Sequence, residues 1–154
     1  MKIIEAKELL KPISIAIVVS RFNAEVTDAL LEGAVERLKE LEVPIEKTTI
    51  VHVPGAIEIP LVIQRLAETK HYDVAIALGA VIRGETDHYA YVCEQVSQGC
   101  QQVMLAHNLP VIFGILTTDD ESQAEDRIGG RHGHKGREAA DAAIEMISIL
   151  EQLG

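Results

Sequence analysis

The run Leu78-Gly79-Ala80-Val81-Ile82-Arg83-Gly84-Glu85-Thr86-Asp87-His88-Tyr89 places a glycine turn and a histidine where an apolar strand meets a helix. An imidazole exchanges protons near neutral pH, so His88 is a candidate general acid or base. Gly84-Glu85-Thr86 offers backbone N–H groups and a hydroxyl at a helix N-terminus, an arrangement suited to an anion. The Glu85 carboxylate would oppose that charge, so the backbone of Glu85 is its useful part. Arg127 can add a bidentate, charge-assisted grip. Each feature also has a plain structural reading: a helix-terminal histidine held by Asp87, a surface turn, and a solvated arginine.

The elements that would hold these groups are legible as alternating apolar runs and helical periods. Val74 to Ile82 is apolar until Arg83, as a parallel strand buried on both faces should be, and Thr86 or Asp87 can cap the helix that follows. Such a junction is where an open α/β sheet binds ligands. Upstream, Ile13 to Val19 reads as the first strong strand. Asn23 to Leu41 reads as a helix, since Val26, Leu30, Ala34, Leu38 and Leu41 repeat at three and four. Ile45 to Val53 is the next strand, and Pro54-Gly55 turns into a helix near Ile57 to Thr69, where Pro60 is tolerable only in the first turn.

A long helix spans Asp87 to His107. Gly99 within it should cost about 1 kcal/mol of propensity unless a neighbouring element needs the close approach. Val111 to Leu116 is the fourth strand, Glu121 to Arg127 a short helix, Gly129 to His134 a mobile-looking linker, and Gly136 to Leu150 the final helix. The βαβαβαβα order predicts one parallel sheet with helices on both faces. Met1 to Lys11 is less decisive: Ile3-Ile4 could begin an edge strand, while Glu5 to Leu10 suits a surface turn or short helix.

At 154 residues the chain can bury about two thirds of its unfolded surface in one core. Hydrophobic residues make up 47% but aromatics only 3%, so Ile, Val, Leu and Ala must build that core. The formal charge of -10 argues against duplex nucleic acid as a partner, yet leaves room for one small anion in a local basic pocket. No apolar run is long enough to cross a bilayer and Met1-Lys2-Ile3-Ile4-Glu5 begins no signal peptide, so the expected location is the cytoplasm. Cys93 and Cys100 fall on one helix face, where they read as buried thiols, not as a disulfide or a zinc site.

Five blocks, in order and at approximate spacing, carry a family resemblance: Val53 to Pro60, Gly79 to Tyr91, Phe113 to Thr118, Gln123-Ala124 with Arg127, and Lys135-Gly136 before Glu138-Ala139-Ala140. From Ile13 to Met146 the chain closely resembles the 6,7-dimethyl-8-ribityllumazine synthase family. The resemblance implies a flavodoxin-like three-layer α/β sandwich with a four-stranded parallel core over residues 12–154, and an arm, residues 1–11, that joins a neighbouring subunit's sheet. It further implies a transferase of riboflavin biosynthesis condensing 5-amino-6-(D-ribitylamino)uracil with 3,4-dihydroxy-2-butanone 4-phosphate, with no cofactor and no metal. The implied assembly is a homopentamer, which in some members closes into a sixty-subunit icosahedral shell, with riboflavin synthase as a possible associate.

Roles carried over by the resemblance are proton transfer for His88 and phosphate binding for Glu85, Thr86 and Arg127. Phe22 would stack on a pyrimidine ring and Phe113 would close the pocket from the adjacent subunit, although both also read as core residues. Asn23 and Glu58 would meet ribityl hydroxyls, and Lys135 a pyrimidine carbonyl. Their plain alternatives are a helix cap, a solvated carboxylate and a linker charge. Backbone around Ala56, Ile57, Val81 and Ile82 would finish the cleft, with Glu138 orienting Lys135 or Arg127. Ile57 replaces a common phenylalanine, His134 a common asparagine, and Ala90 a frequent acidic residue. Those changes bear on affinity and base tuning more than on reaction class. Outside this enzyme assignment, a flavodoxin-like nucleotide-binding or signalling module, or a cage protein that keeps the family assembly without catalysis, would use the same scaffold.

Overall fold

Strand β1, Ile15–Ser20, is buried at every position, the signature of a strand covered on both faces. The computed structural model describes residues 1–154. After β1 come α1 (Ala24–Glu40), β2 (Thr48–Val53), α2 (Ile59–Glu68), β3 (Val74–Ile82), α3 (His88–His107), β4 (Val111–Thr118), α4 (Glu121–Glu125), β5 (Ile128–Gly130), β6 (Gly133–His134) and α5 (Lys135–Leu153). The first four strands form one sheet in the order β2-β1-β3-β4, parallel throughout. This is the expected flavodoxin-like sandwich.

Alternation along each strand divides the core in two. Ile15 and Ile17 of β1, with Ile76 and Leu78 of β3, pack beneath α1 and α5. Ala16, Val18, Ala75 and Ala77 face α2 and α3. Because β1 sends its connection to β2 on one side, and β2 returns across β1 to β3, the winding reverses between β1 and β3. The carboxyl ends of those two strands therefore diverge into a crevice, the ligand site of open α/β sheets.

Several boundaries depart from the expectations. Ile45–Lys47 is a 3-10 turn, so β2 begins at Thr48. Ala56–Glu58 is a second such turn ahead of α2, whose Pro60 lies in the first turn as anticipated. The segment read as a linker is instead the antiparallel hairpin β5-β6, with φ of 108° at Gly129 and 77° at Gly133. That left-handed backbone favours glycine. Helix α5 starts at Lys135 and runs three residues past the expected Leu150. Gly99 has its neighbour: a Cβ there would stand 2.7 Å from Pro60 Cγ, so its absence permits the close approach of α3 to α2.

Residues 1–14 form no helix or strand within the chain. Lys7 N–H donates to Ser148 Oγ and that hydroxyl donates to Lys7 O, both at 2.7 Å, tying the arm to α5. No helix is long and apolar enough to cross a membrane.

Candidate active site

A cleft of about 400 Å³ opens at the carboxyl ends of β1 and β3. Its size is within the range of small-molecule sites. Phe22, Asn23, Ala56, Ile57, Glu58, Val81, Ile82, Thr86 and His88 all line it. Residues from the β1, β2 and β3 ends meet here because the three strands are parallel and in register.

Phe22 follows β1, and its N–H donates to Pro54 O at 3.0 Å, extending the strand pairing into the loop. Phe22 is 71% exposed, which removes the core reading for it in the single chain. Asn23 adopts a left-handed conformation, φ 63°, which asparagine tolerates better than most residues. It stands at the N-cap of α1 but its side chain does not cap. Its Nδ2 donates to Ala80 O at 2.8 Å, locking the β1 exit to the end of β3. The side-chain carbonyl has no hydrogen-bond partner within the chain.

The turn between β3 and α3 is poor in internal hydrogen bonds. The N–H groups of Gly84, Glu85 and Thr86 donate to no group of the chain. Thr86 Oγ1 accepts a long, 3.4 Å bond from His88 N–H, whereas Asp87, at the N-cap, makes no side-chain cap. Uncommitted donors at the start of a 20-residue helix favour negative charge. His88 begins that helix, is exposed, and faces the cleft beside Thr86.

Five other predicted residues do not line the cleft of their own chain: Glu85, Phe113, Arg127, Lys135 and Glu138. Phe113 lies on the edge strand β4 and is 36% exposed. Arg127 and Lys135 are brought together by the β5-β6 hairpin, where Lys135 N–H donates to Arg127 O at 2.7 Å. Arg127 Nη1 donates to Gln123 O at 2.8 Å. Glu138 is exposed and, within the single chain, pairs with neither Lys135 nor Arg127.

Tyr89 and Val92, not anticipated from the sequence as site residues, also line the cleft. Helical spacing held the signal for Val92, four residues after His88 and so on the same face. Burial first, and then the Cys93 thiol, hold the Tyr89 phenol above its ordinary pKa, so it remains a neutral hydroxyl. Cys100 is buried as expected, its pKa pushed up to about 11, whereas Cys93 is only half-buried.

A parallel, doubly covered sheet whose switch-point cleft gathers a histidine, an exposed phenylalanine and uncommitted N–H groups defines a flavodoxin-like α/β protein with a small-molecule cleft. The model of the 6,7-dimethyl-8-ribityllumazine synthase family matches residues 12–151. Proteins of that name from three strains of Coxiella burnetii are each 55% identical to the chain over 139 residues, covering 90% of it and 92% of the relative. The chain belongs to the 6,7-dimethyl-8-ribityllumazine synthase family.

Proposed function

We infer that the chain condenses 5-amino-6-(D-ribitylamino)uracil with 3,4-dihydroxy-2-butanone 4-phosphate to form 6,7-dimethyl-8-ribityllumazine, in the penultimate step of riboflavin biosynthesis. Family membership supports the reaction, and the observation that ties it to this chain is the cleft in which Phe22, Glu58 and His88 meet Gly84 and Thr86 of the turn with free N–H groups. The uracil amine is the nucleophile. It attacks the ketone carbonyl and, with loss of water, forms an imine, so no enzyme lysine is needed. Phosphate then leaves, the intermediate tautomerises, and the ribitylamino nitrogen closes the second ring with loss of another water.

In this reading Phe22 stacks on the pyrimidine, and Asn23 and Glu58 meet the ribityl hydroxyls. The backbone of Ala56, Ile57, Val81 and Ile82 shapes the walls. Thr86 and the Glu85 N–H receive phosphate, and His88 moves protons during imine formation, elimination and closure. Much of the acceleration comes from holding two small molecules in one orientation.

The substrates are small molecules and the enzyme works as an oligomer. We propose a homopentamer in which Phe113 and Arg127 of one subunit complete the cleft of the next, with Lys135 and Glu138 nearby. Their absence from their own chain's cleft supports this arrangement. Closure of pentamers into a sixty-subunit shell, association with riboflavin synthase, the role of residues 1–11 as an arm onto a neighbour's sheet, and a cytoplasmic location belong to the same proposal. The test is a lumazine-formation assay on assembled wild-type protein, His88→Ala and Arg127→Ala, with native mass measured first. His88→Ala should slow turnover while binding largely persists, and Arg127→Ala should chiefly raise KM for the phosphorylated substrate. An active monomer would overturn the shared site, and no product from assembled wild type would overturn the reaction.

A further inference from the structure

Arg83, the residue just before the Gly84 to Thr86 turn, touches the end of β4, the Asp119 that follows it and α3 without lining the cleft. Its N–H donates to Thr118 O, at the end of β4, at 2.8 Å. Its Nε donates to Asp119 Oδ1 at 2.9 Å, and its guanidinium carbon lies 4.3 Å from the centre of the Tyr89 ring in the first turn of α3. The stack thus joins the two flanks of the segment Gly84 to His88. Little else packs on the start of that segment, since a Cβ built on Gly84 would meet nothing within 4 Å.

Asp119 carries the connection onward. Its N–H donates to Gln123 Oε1 at 2.8 Å, and Gln123 N–H donates to Asp120 Oδ1 at 2.8 Å, capping α4. Gln123 O in turn accepts from Arg127 Nη1. An unbroken series of contacts therefore links the turn that opens into the chain's own cleft with the guanidinium of Arg127.

We propose that Arg83 and Asp119 are positioning residues for phosphate capture, fixing the Gly84 to Thr86 turn and, through Gln123, aiming Arg127. The proposal rests on the reading of Thr86, Glu85 and Arg127 as the phosphate site. Both side chains are more than half exposed, and an exposed ion pair adds little to stability. Its contribution is orientation: a planar guanidinium held at Nε and stacked on a ring has few alternative poses. Neither residue contacts substrate.

The experiment is a double-mutant cycle on the assembled enzyme with Arg83→Gln, Asp119→Asn and both together, measuring KM for each substrate separately. Asp119→Asn replaces one atom and removes the charge, so it retains the fold even where Arg83→Gln assembles poorly. Each single change should raise KM for the butanone phosphate by roughly tenfold and alter KM for the uracil by less than about twofold, with the double variant no worse than the more damaged single, as for residues acting as one unit. Effects that multiply in the double variant, equal shifts for both substrates, or an unchanged KM for the phosphorylated substrate would each overturn the proposal. Arg127→Ala, run alongside, separates the two levels. If it too leaves that KM unchanged, the phosphate-site reading fails; if it alone raises it, only the positioning role fails.

Discussion

Replacing Phe22 with alanine should separate binding from folding. The residue is 71% exposed, so less than a third of its surface is covered by the chain itself. Fully burying a phenylalanine is worth about 1.5–3 kcal/mol, so the covered part contributes less than about 1 kcal/mol to folding. For a protein of this size a loss of about 1 kcal/mol lowers Tm by only about 2–4 °C. The main-chain bond from Phe22 N–H to Pro54 O survives the substitution, so the loop keeps its course. Stacking of an aromatic side chain on a heterocyclic base is worth about 1–3 kcal/mol. At about 1.4 kcal/mol per tenfold, KM for the uracil substrate should rise by roughly 5- to 150-fold. KM for the butanone phosphate should hardly move. Thermal melting and separate titration of the two substrates on the assembled variant measure both halves. A Tm lowered by ten degrees or so with an unchanged uracil KM would show that the ring is a packing residue and would refute the assignment.

Gly136→Ala should destabilise, because a Cβ there would run into the Leu30 carbonyl oxygen and sit 2.9 Å from Leu30 C where α5 crosses α1. The gain of about 1 kcal/mol in helix propensity is outweighed by an overpacking cost of about 1–3 kcal/mol or more against rigid backbone, so an unchanged or higher Tm would contradict the close crossing. Burial raises the Cys100 thiol from 9.0 to about 11. The thiolate is thus disfavoured in the folded state, and stability that is complete below pH 9 is lost as pH rises through 11, by on the order of 2–3 kcal/mol. Denaturant titrations from pH 8 to about 11 should show Cys100→Val removing that part of the slope. Glu40 is held below its ordinary 4.5 first by Arg137 and then by Arg37, so its contribution is present above that value and disappears as pH falls. Glu40→Gln should therefore give a shallower acid limb, read from Tm against pH.

What the sequence determined by itself is what depends on near neighbours. Strands buried on both faces must be continuous apolar runs, and Val74 to Ile82 could be read almost to the residue. Helix α1 showed its period of three and four, and the strand-to-helix step at Gly84 to His88 marked one wall of the cleft. The β5-β6 hairpin escaped because strands of three and two residues are too short for alternation to appear, and glycines with positive φ look like any other glycine in a sequence. The plain structural reading of Asn23 was a helix cap. Its amide instead reaches Ala80, 57 positions away, because β1 and β3 are adjacent, and that adjacency follows from a sheet order no local pattern encodes. The same holds for Arg83 and Asp119, 36 positions apart, and for Arg127 beside Lys135. Local periodicity reports how a segment will coil and which face will avoid water. Which distant side chains then meet is decided only when the sheet buries both faces at once, since that packing selects the strand order and leaves the strand ends, with the cleft between them, in one place.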